Sequence, residues 1–246
     1  MSGEPVLLVI AHGSRDPRHA ATVHALVRRV RAQRPGVRVE TGFLDFNVPS
    51  VQGVLESLAA QGVRDVVAQP LLLTRAFHAK ADIPAVLRDA PRRLRIRQAQ
   101  VLGPSPLLLA ALERRLSEAG LAPADKSSTG VVLASAGSTD PEAIAVIADI
   151  AREWRHTGWC AVRPAFASAS LPRTEDAVRE LRALGCARVA VAPYVLAPGF
   201  LPDRIARGAA KADVLAEVLG PAPEVARLLL DRYDEARLPV RAALGA

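Results

Sequence analysis

Residues 6–17 decide the fold, and they read Val6-Leu7-Leu8-Val9-Ile10-Ala11-His12-Gly13-Ser14-Arg15-Asp16-Pro17. The first six are all apolar, which is typical of a strand buried on both faces of a parallel sheet. Gly13 then permits a tight turn, and Asp16-Pro17 is a typical cap and first turn of a helix. His12 is therefore predicted at the carboxyl edge of a sheet, where open α/β folds bind ligands. This stretch alone supports two interpretations equally: a histidine that binds a ligand, and a histidine that forms hydrogen bonds only with the loop backbone.

The pattern returns half a chain later, at an offset of 123 or 124 residues. The matched blocks are 7–17 with 131–141, 42–49 with 165–172, and 70–78 with 193–201. Three blocks in one order at one offset indicate an internal duplication. The turn-rich segment 122–130 is the natural linker between the copies. We therefore predict an N-terminal domain over residues 1–122 and a C-terminal domain over residues 130–246.

Strand and helix patterns alternate in each half. Strands are predicted near 5–11, 37–44, 64–70, 95–101, 130–135, 161–167, 187–193 and 212–215. Helices are predicted near 16–34, 49–61, 79–89, 104–119, 141–156, 172–184, 203–210 and 222–236. This alternation predicts an α/β fold of two tandem domains, each a four-stranded parallel sheet with helices on both faces. Two such domains facing each other would enclose a cleft.

Composition narrows the class of protein. The 246 residues are 50% hydrophobic, contain two isolated cysteines, Cys160 and Cys186, and have no long apolar run. This pattern disfavours a membrane protein, a disulfide framework and a cysteine-based zinc or iron–sulfur site. The sequence has no charged-then-apolar leader, and we expect a cytoplasmic protein.

The formal charge of +7 falls entirely in the first half. Residues 1–123 hold 17 Lys and Arg against 10 Asp and Glu, whereas residues 124–246 hold 15 of each. A nucleic-acid module would usually interleave aromatic residues with its basic ones or show a known motif, and this half does neither. We therefore expect a small polyanionic ligand and no nucleic-acid partner.

The two copies differ at positions that carry reactive groups. The first half has His12, Asp45 and His78 where the second has Ala136, Ser168 and Leu201. Two imidazoles and one carboxylate at one sheet edge suit Fe(II), Co(II), Ni(II) or Zn(II). The same three groups can act as general acids and bases. The remaining histidines lie in helical patterns and are assigned no role: His19, His24 and His156.

A hydrolase or phosphatase built on the Gly-Ser turn is disfavoured. Ser14 lacks the Gly-x-Ser-x-Gly frame of a nucleophile elbow. The chain also has neither a Gly-x-x-x-x-Gly-Lys loop nor a Gly-x-Gly-x-x-Gly fingerprint.

The chain resembles the sirohydrochlorin chelatase family, the class II tetrapyrrole chelatases. The resemblance rests on Ala-His-Gly-Ser-Arg-Asp-Pro at 11–17, Gly-Phe-Leu-Asp-Phe at 42–46, and residues 70–84, with a weaker match in the second half. It implies that a metal-free tetrapyrrole enters the cleft and receives Fe2+ or Co2+ without ATP, the metal being substrate and not a tightly bound cofactor. It also implies that His12 and His78 are the catalytic and metal-contacting histidines. Asp45 stands where the family usually has glutamate.

The resemblance also explains the basic first half, since sirohydrochlorin carries eight carboxylates. The predicted substrate-binding residues are Ser14, Arg15, Arg75, Lys80 and Arg204. A two-domain chain already forms its own cleft, so we expect a monomer. The alternative is a non-catalytic protein that binds or delivers the metal or the tetrapyrrole. The sequence leaves the choice between iron and cobalt, and between siroheme and cobalamin synthesis, open.

Overall fold

The computed structural model describes residues 4–75 and 82–237. In the first half the strands are β1 (Val6–Ala11), β2 (Val39–Phe43), β3 (Asp65–Pro70) and β4 (Arg95–Gln98). The helices of that half are α1 (Pro17–Gln33), α2 (Val51–Ala60), α3 (Ile83–Arg88) and α4 (Pro106–Glu118). A 3₁₀ helix at Pro123–Ser128 occupies the predicted linker.

The second half repeats this order. Its strands are β5 (Thr129–Ser135), β6 (Ala161–Phe166), β7 (Arg188–Tyr194) and β8 (Val214–Leu215). Its helices are α5 (Pro141–Arg155), α6 (Thr174–Ala183), α7 (Phe200–Gly208) and α8 (Pro223–Arg237). The predicted elements of both halves are confirmed within the described residues, with ends shifted by a few residues. Residues 79–81, the start of the third predicted helix, lie outside the described residues. None of the helices in the described ranges has the length and apolar content needed to cross a membrane.

Two parallel sheets confirm the predicted fold class. The strand orders are β2-β1-β3-β4 and β6-β5-β7-β8, and all neighbours run parallel. In each sheet the chain leaves the two central strands in opposite directions, which opens a crevice at their carboxyl ends. In the first sheet these strands are β1, which precedes His12, and β3, which precedes the segment holding His78.

The last helix of each half packs on the other half. Helix α8 lies against α1, β3 and β4 of the first half, and α4 lies against β7 of the second. Leu7, Val131, Leu229 and Tyr233 consequently belong to one hydrophobic core that runs through both halves. Smaller cores on the outer faces lie under α2 and α3 in one half and under α6 and α7 in the other.

Candidate functional site

The loops after β1 and β2 stay paired beyond the ends of their strands. The Asp45 backbone N–H donates to the His12 carbonyl oxygen at 2.9 Å. The matched pair in the second half does the same, with Ser168 donating to Ala136 at 3.0 Å. The alignment of the two copies is therefore correct at these positions, and the loss of the histidine and carboxylate is confined to side chains.

Glycine is required where these loops cross. Gly13 and Gly137 have φ of +96° and +93°, in the left-handed region that favours glycine. A Cβ at Gly13 would lie 1.8 Å from the Asp45 carbonyl oxygen, and one at Gly137 would lie 1.9 Å from that of Ser168. The close approach brings the His12 loop onto the Asp45 loop.

Ser14 serves the same turn. Its hydroxyl accepts the Asp16 backbone N–H at 3.1 Å, as the Ser138 hydroxyl accepts that of Asp140 at 3.0 Å. Its own N–H donates to the Asn47 side-chain oxygen at 2.8 Å. The serine is thus part of the turn in both halves, and a direct contact from Ser14 to substrate stays a prediction.

Phe46 joins the predicted groups of the first half. His12 and Asp45 are both exposed, and the His12 ring meets Phe46 edge-on with 6.3 Å between ring centroids. The Arg15 guanidinium carbon lies 5.2 Å from the centroid of the same ring. The Phe46 N–H donates to Asp45 Oδ1 at 2.7 Å. Phe46 is 49% exposed, so its ring acts mainly through these contacts and adds little to the core.

The Phe46 ring can be tested without disturbing the loop. Its φ is +60°, and Ala169 at the matched position has a φ of +59°, so alanine already adopts this conformation in the second half. We expect Phe46→Ala to reduce by about 3–30-fold the metal insertion that the family resemblance implies, because a 1 Å misplacement of reacting groups can cost up to about 100-fold. The free energy of unfolding should change by less than about 1 kcal/mol. Steady-state kinetics and urea unfolding measure the two effects.

Val48→Ala is the matched control, since Val48 is an apolar residue of the same loop and is 85% exposed. Normal kinetics for Phe46→Ala would show that the ring does not position His12 or Arg15.

A cavity of about 390 Å³ lies between the halves. It is lined mainly by apolar side chains, including Leu71 and Leu73 from the first half and Ile147 and Phe166 from the second. Ala136 and Leu201, the counterparts of His12 and His78, also line it. The second half thus contributes a wall without metal-binding or proton-accepting groups at these positions, which suits a flat apolar ring.

His19 is a cleft residue whose helical sequence pattern predicted no functional role. It lines the cavity between the halves and also a smaller cavity of about 60 Å³, which His12 lines as well. Its Nδ1 is buried and has no hydrogen-bond partner among the described residues. Burial lowers the pKa of His19, with a smaller electrostatic contribution from the neighbouring His12, so the neutral form of the His19 ring predominates at pH 7. The sequence signal for this burial is helical spacing, since His19 precedes the buried Val23 and Leu26 by four and seven residues.

The structure describes some of the other predicted site residues but not all of them. Arg15, Arg75 and Arg204 are exposed, and Arg75 donates to the Gln100 side-chain oxygen at 2.8 Å. His78 and Lys80 lie outside the described residues. Within residues 4–75 and 82–237, no three His, Cys, Asp or Glu side chains are grouped closely enough to hold a metal ion. The metal site of His12, Asp45 and His78 stays a prediction.

Comparison with known proteins gives consistent matches over most of the chain. A family model described as CbiX matches residues 6–119 and again 130–236, one copy in each half. A sirohydrochlorin cobaltochelatase from Priestia megaterium is 30% identical over 207 residues, which cover 81% of this chain and 66% of the relative. A sirohydrochlorin ferrochelatase from Bacillus subtilis (strain 168) is 28% identical over 93% of this chain and 90% of the relative. The solved structure of SirB from Bacillus subtilis with Fe3+ is 26% identical, with a TM-score of 0.81 over 95% of this chain and 96% of that one.

Proposed function

The chain belongs to the CbiX family, and from this premise we propose that it is a sirohydrochlorin chelatase. It inserts Fe2+ or Co2+ into the metal-free tetrapyrrole without ATP, in siroheme or cobalamin biosynthesis. The two relatives with these names, one a cobaltochelatase and one a ferrochelatase, support the substrate. The observation that carries the proposal is the position of His12, which stands at the strand switch point beside a cleft whose other wall is mainly apolar.

The reaction needs bases that also tolerate a metal. Two pyrrole N–H protons leave as the divalent ion enters the ring, and neutral imidazole is a suitable acceptor and transient ligand near pH 7. We assign these roles to His12 and His78. Asp45 is one methylene shorter than the glutamate usual in the family, which supports a proton-accepting or water-bridged role for Asp45 over a direct bond to the metal.

Measuring turnover distinguishes a chelatase from a protein that only binds or delivers the metal or the tetrapyrrole. Metal-free sirohydrochlorin and Fe2+ or Co2+ are mixed anaerobically with a small amount of protein, and the absorption spectrum is followed. A chelatase converts many equivalents faster than the protein-free control. A protein that only binds or delivers the metal or the tetrapyrrole changes the spectrum by about one equivalent, and that result would overturn the proposal.

Charge should control substrate binding. We propose that Arg15, Arg75, Lys80 and Arg204 receive the carboxylates of the tetrapyrrole, a role supported by the charge excess of the first half. Raising ionic strength from about 0.01 to 0.5 M shortens the Debye length from about 30 Å to a few Å. The KM for the tetrapyrrole should therefore rise, with a smaller fall in kcat, because these charges do not change in the chemical step.

Arg75→Ala should raise KM about 2–5-fold and flatten its dependence on salt, as expected for an exposed ion pair. Arg92→Ala is the matched control, since Arg92 is exposed in the same half but precedes β4, at the opposite sheet edge. A KM that ignores salt would show that the basic surface does not bind substrate.

We further propose that the protein is a cytoplasmic monomer with no tightly bound cofactor. The cavity formed within one chain supports the monomer, because no second copy is needed to complete the cleft. Light scattering of the purified protein tests the monomer.

A further inference from the structure

The two cysteines of the chain meet at the edge of the second sheet that faces away from the cleft. They are 26 residues apart in sequence and form no Cys-x-x-Cys motif, yet their Sγ atoms lie 3.5 Å from each other. Cys160 is exposed and directly precedes β6, whereas Cys186 is buried and precedes β7. Both thiols are free.

A glycine on the central strand makes room for this contact. Strand β5 lies between β6 and β7, so the two thiols must meet over its amino end. Gly130 stands there, and a Cβ on it would lie 2.8 Å from Cys186 Sγ. The Cys160 backbone N–H also donates to the Thr129 carbonyl oxygen at 3.2 Å, which fixes the start of β6 beside β5. Strand pairing and this glycine therefore hold the sulfur atoms together.

We propose that Cys160 and Cys186 are a site of oxidative modification that closes to an intramolecular disulfide with a low-molecular-weight disulfide as oxidant. The Cys160 thiolate attacks the small disulfide, forming a mixed disulfide and releasing one small thiol. Cys186 then attacks the Cys160 sulfur and releases the second small thiol. The protein loses two electrons and two protons, and the small disulfide gains them.

Accessibility sets the order of these steps. Cys160 is exposed, so the oxidant reaches it first. Burial raises the pKa of Cys186 to about 11, and the adjacent Cys160 thiol adds to the effect. A thiol held protonated is a poor attacking group, so Cys186 reacts only with a sulfur already in contact with it.

Distance from the cleft predicts what the modification changes. The cleft lies beyond the carboxyl ends of β5 and β7, about 20 Å away along strands of seven residues. The disulfide closes a loop that contains β6 and α6, and loops of this length restrict the unfolded chain. We expect the oxidised protein to melt about 5–10 °C above the reduced protein. Its rate in any assay of the cleft should stay within about twofold of the reduced protein.

The test uses the native, fully reduced protein and glutathione disulfide. Intact mass should show the loss of two hydrogens, peptide mapping should join Cys160 to Cys186, and dithiothreitol should reverse both. Cys186→Ala should stop at the mixed disulfide. Cys160→Ser should stay unmodified, because its remaining thiol is buried.

The wild-type result stands even if a variant fails to fold. A persistent mixed disulfide, two unmodified thiols, a disulfide between two chains, or an oxidised protein that melts below the reduced one would each overturn the proposal. None of these readouts depends on the chelatase assignment, so the two can fail separately.

Discussion

His12→Ala is expected to slow metal insertion by about 10²–10⁴-fold, the usual loss when a positioned proton acceptor is removed. The fold should persist, because the His12 side chain is exposed and its bond to Asp45 is made by the backbone carbonyl, which alanine retains. His78→Ala should have a similar effect if His78 is the second acceptor. Steady-state rates with Fe2+ and with Co2+ measure the loss, and circular dichroism checks the fold.

His156→Ala is the control for this experiment. His156 is an exposed histidine at the end of α5, and its substitution should leave the rate unchanged. A near-normal rate for His12→Ala in folded protein would remove His12 from the mechanism. A further loss in the His12→Ala and His19→Ala double variant would indicate that His19 takes part in the residual proton transfer.

Gly13→Ala is expected to cost about 3–5 kcal/mol of the free energy of unfolding, from a left-handed backbone and an overpacked contact together. The added methyl group would lie 1.8 Å from the Asp45 carbonyl oxygen, so the His12 loop must move away from the Asp45 loop. Metal insertion should therefore fall as well, even in molecules that remain folded. Urea unfolding and rates measured below the unfolding transition give the two effects separately.

Substitutions of two other glycines distinguish the cost of backbone strain from the cost of the steric clash. Gly62 has a φ of +80° and open space around it, so Gly62→Ala should cost only about 1–2 kcal/mol. Gly137→Ala makes the clash of Gly13→Ala in the second half and should destabilise the chain to a similar extent. If Gly13→Ala lowered the free energy of unfolding no more than Gly62→Ala, the His12 and Asp45 loops would not be packed as closely as in the structure.

The repeated pattern made most of the fold predictable from sequence. Strand β1 and its turn fixed the sheet type, and the copy 124 residues later confirmed where the turn begins. The exchange of α4 and α8 was not predictable, because an apolar helix face does not specify the sheet that it covers. The contact between Cys160 and Cys186 was also not predictable from sequence, because it depends on the lateral order of β6, β5 and β7 in the sheet.

The site was predictable only in part. Differences between the copies singled out His12 and Asp45 as candidates, and the structure brings their loops together. Phe46 and His19 required contacts across loops and halves. Phe46 also differs from its counterpart, Ala169, and the same comparison would have found it had apolar residues been included. His19 likewise differs from its counterpart, Ala143, but this pair lies on helices outside the three matched blocks, and the place of His19 in the cleft depends on the position of the second half.

The exchanged helices explain how a duplicated chain can keep a copy that has lost its reactive groups. Helix α8 is encoded in the second copy, yet it covers β3 and β4 of the first, and the Tyr233 hydroxyl donates to the Pro5 carbonyl oxygen at 2.7 Å. Deleting the second copy would expose the sheet that carries His12. The first copy therefore depends on the length and packing of the second, but on no metal-binding or proton-accepting side chain at Ala136 or Ser168.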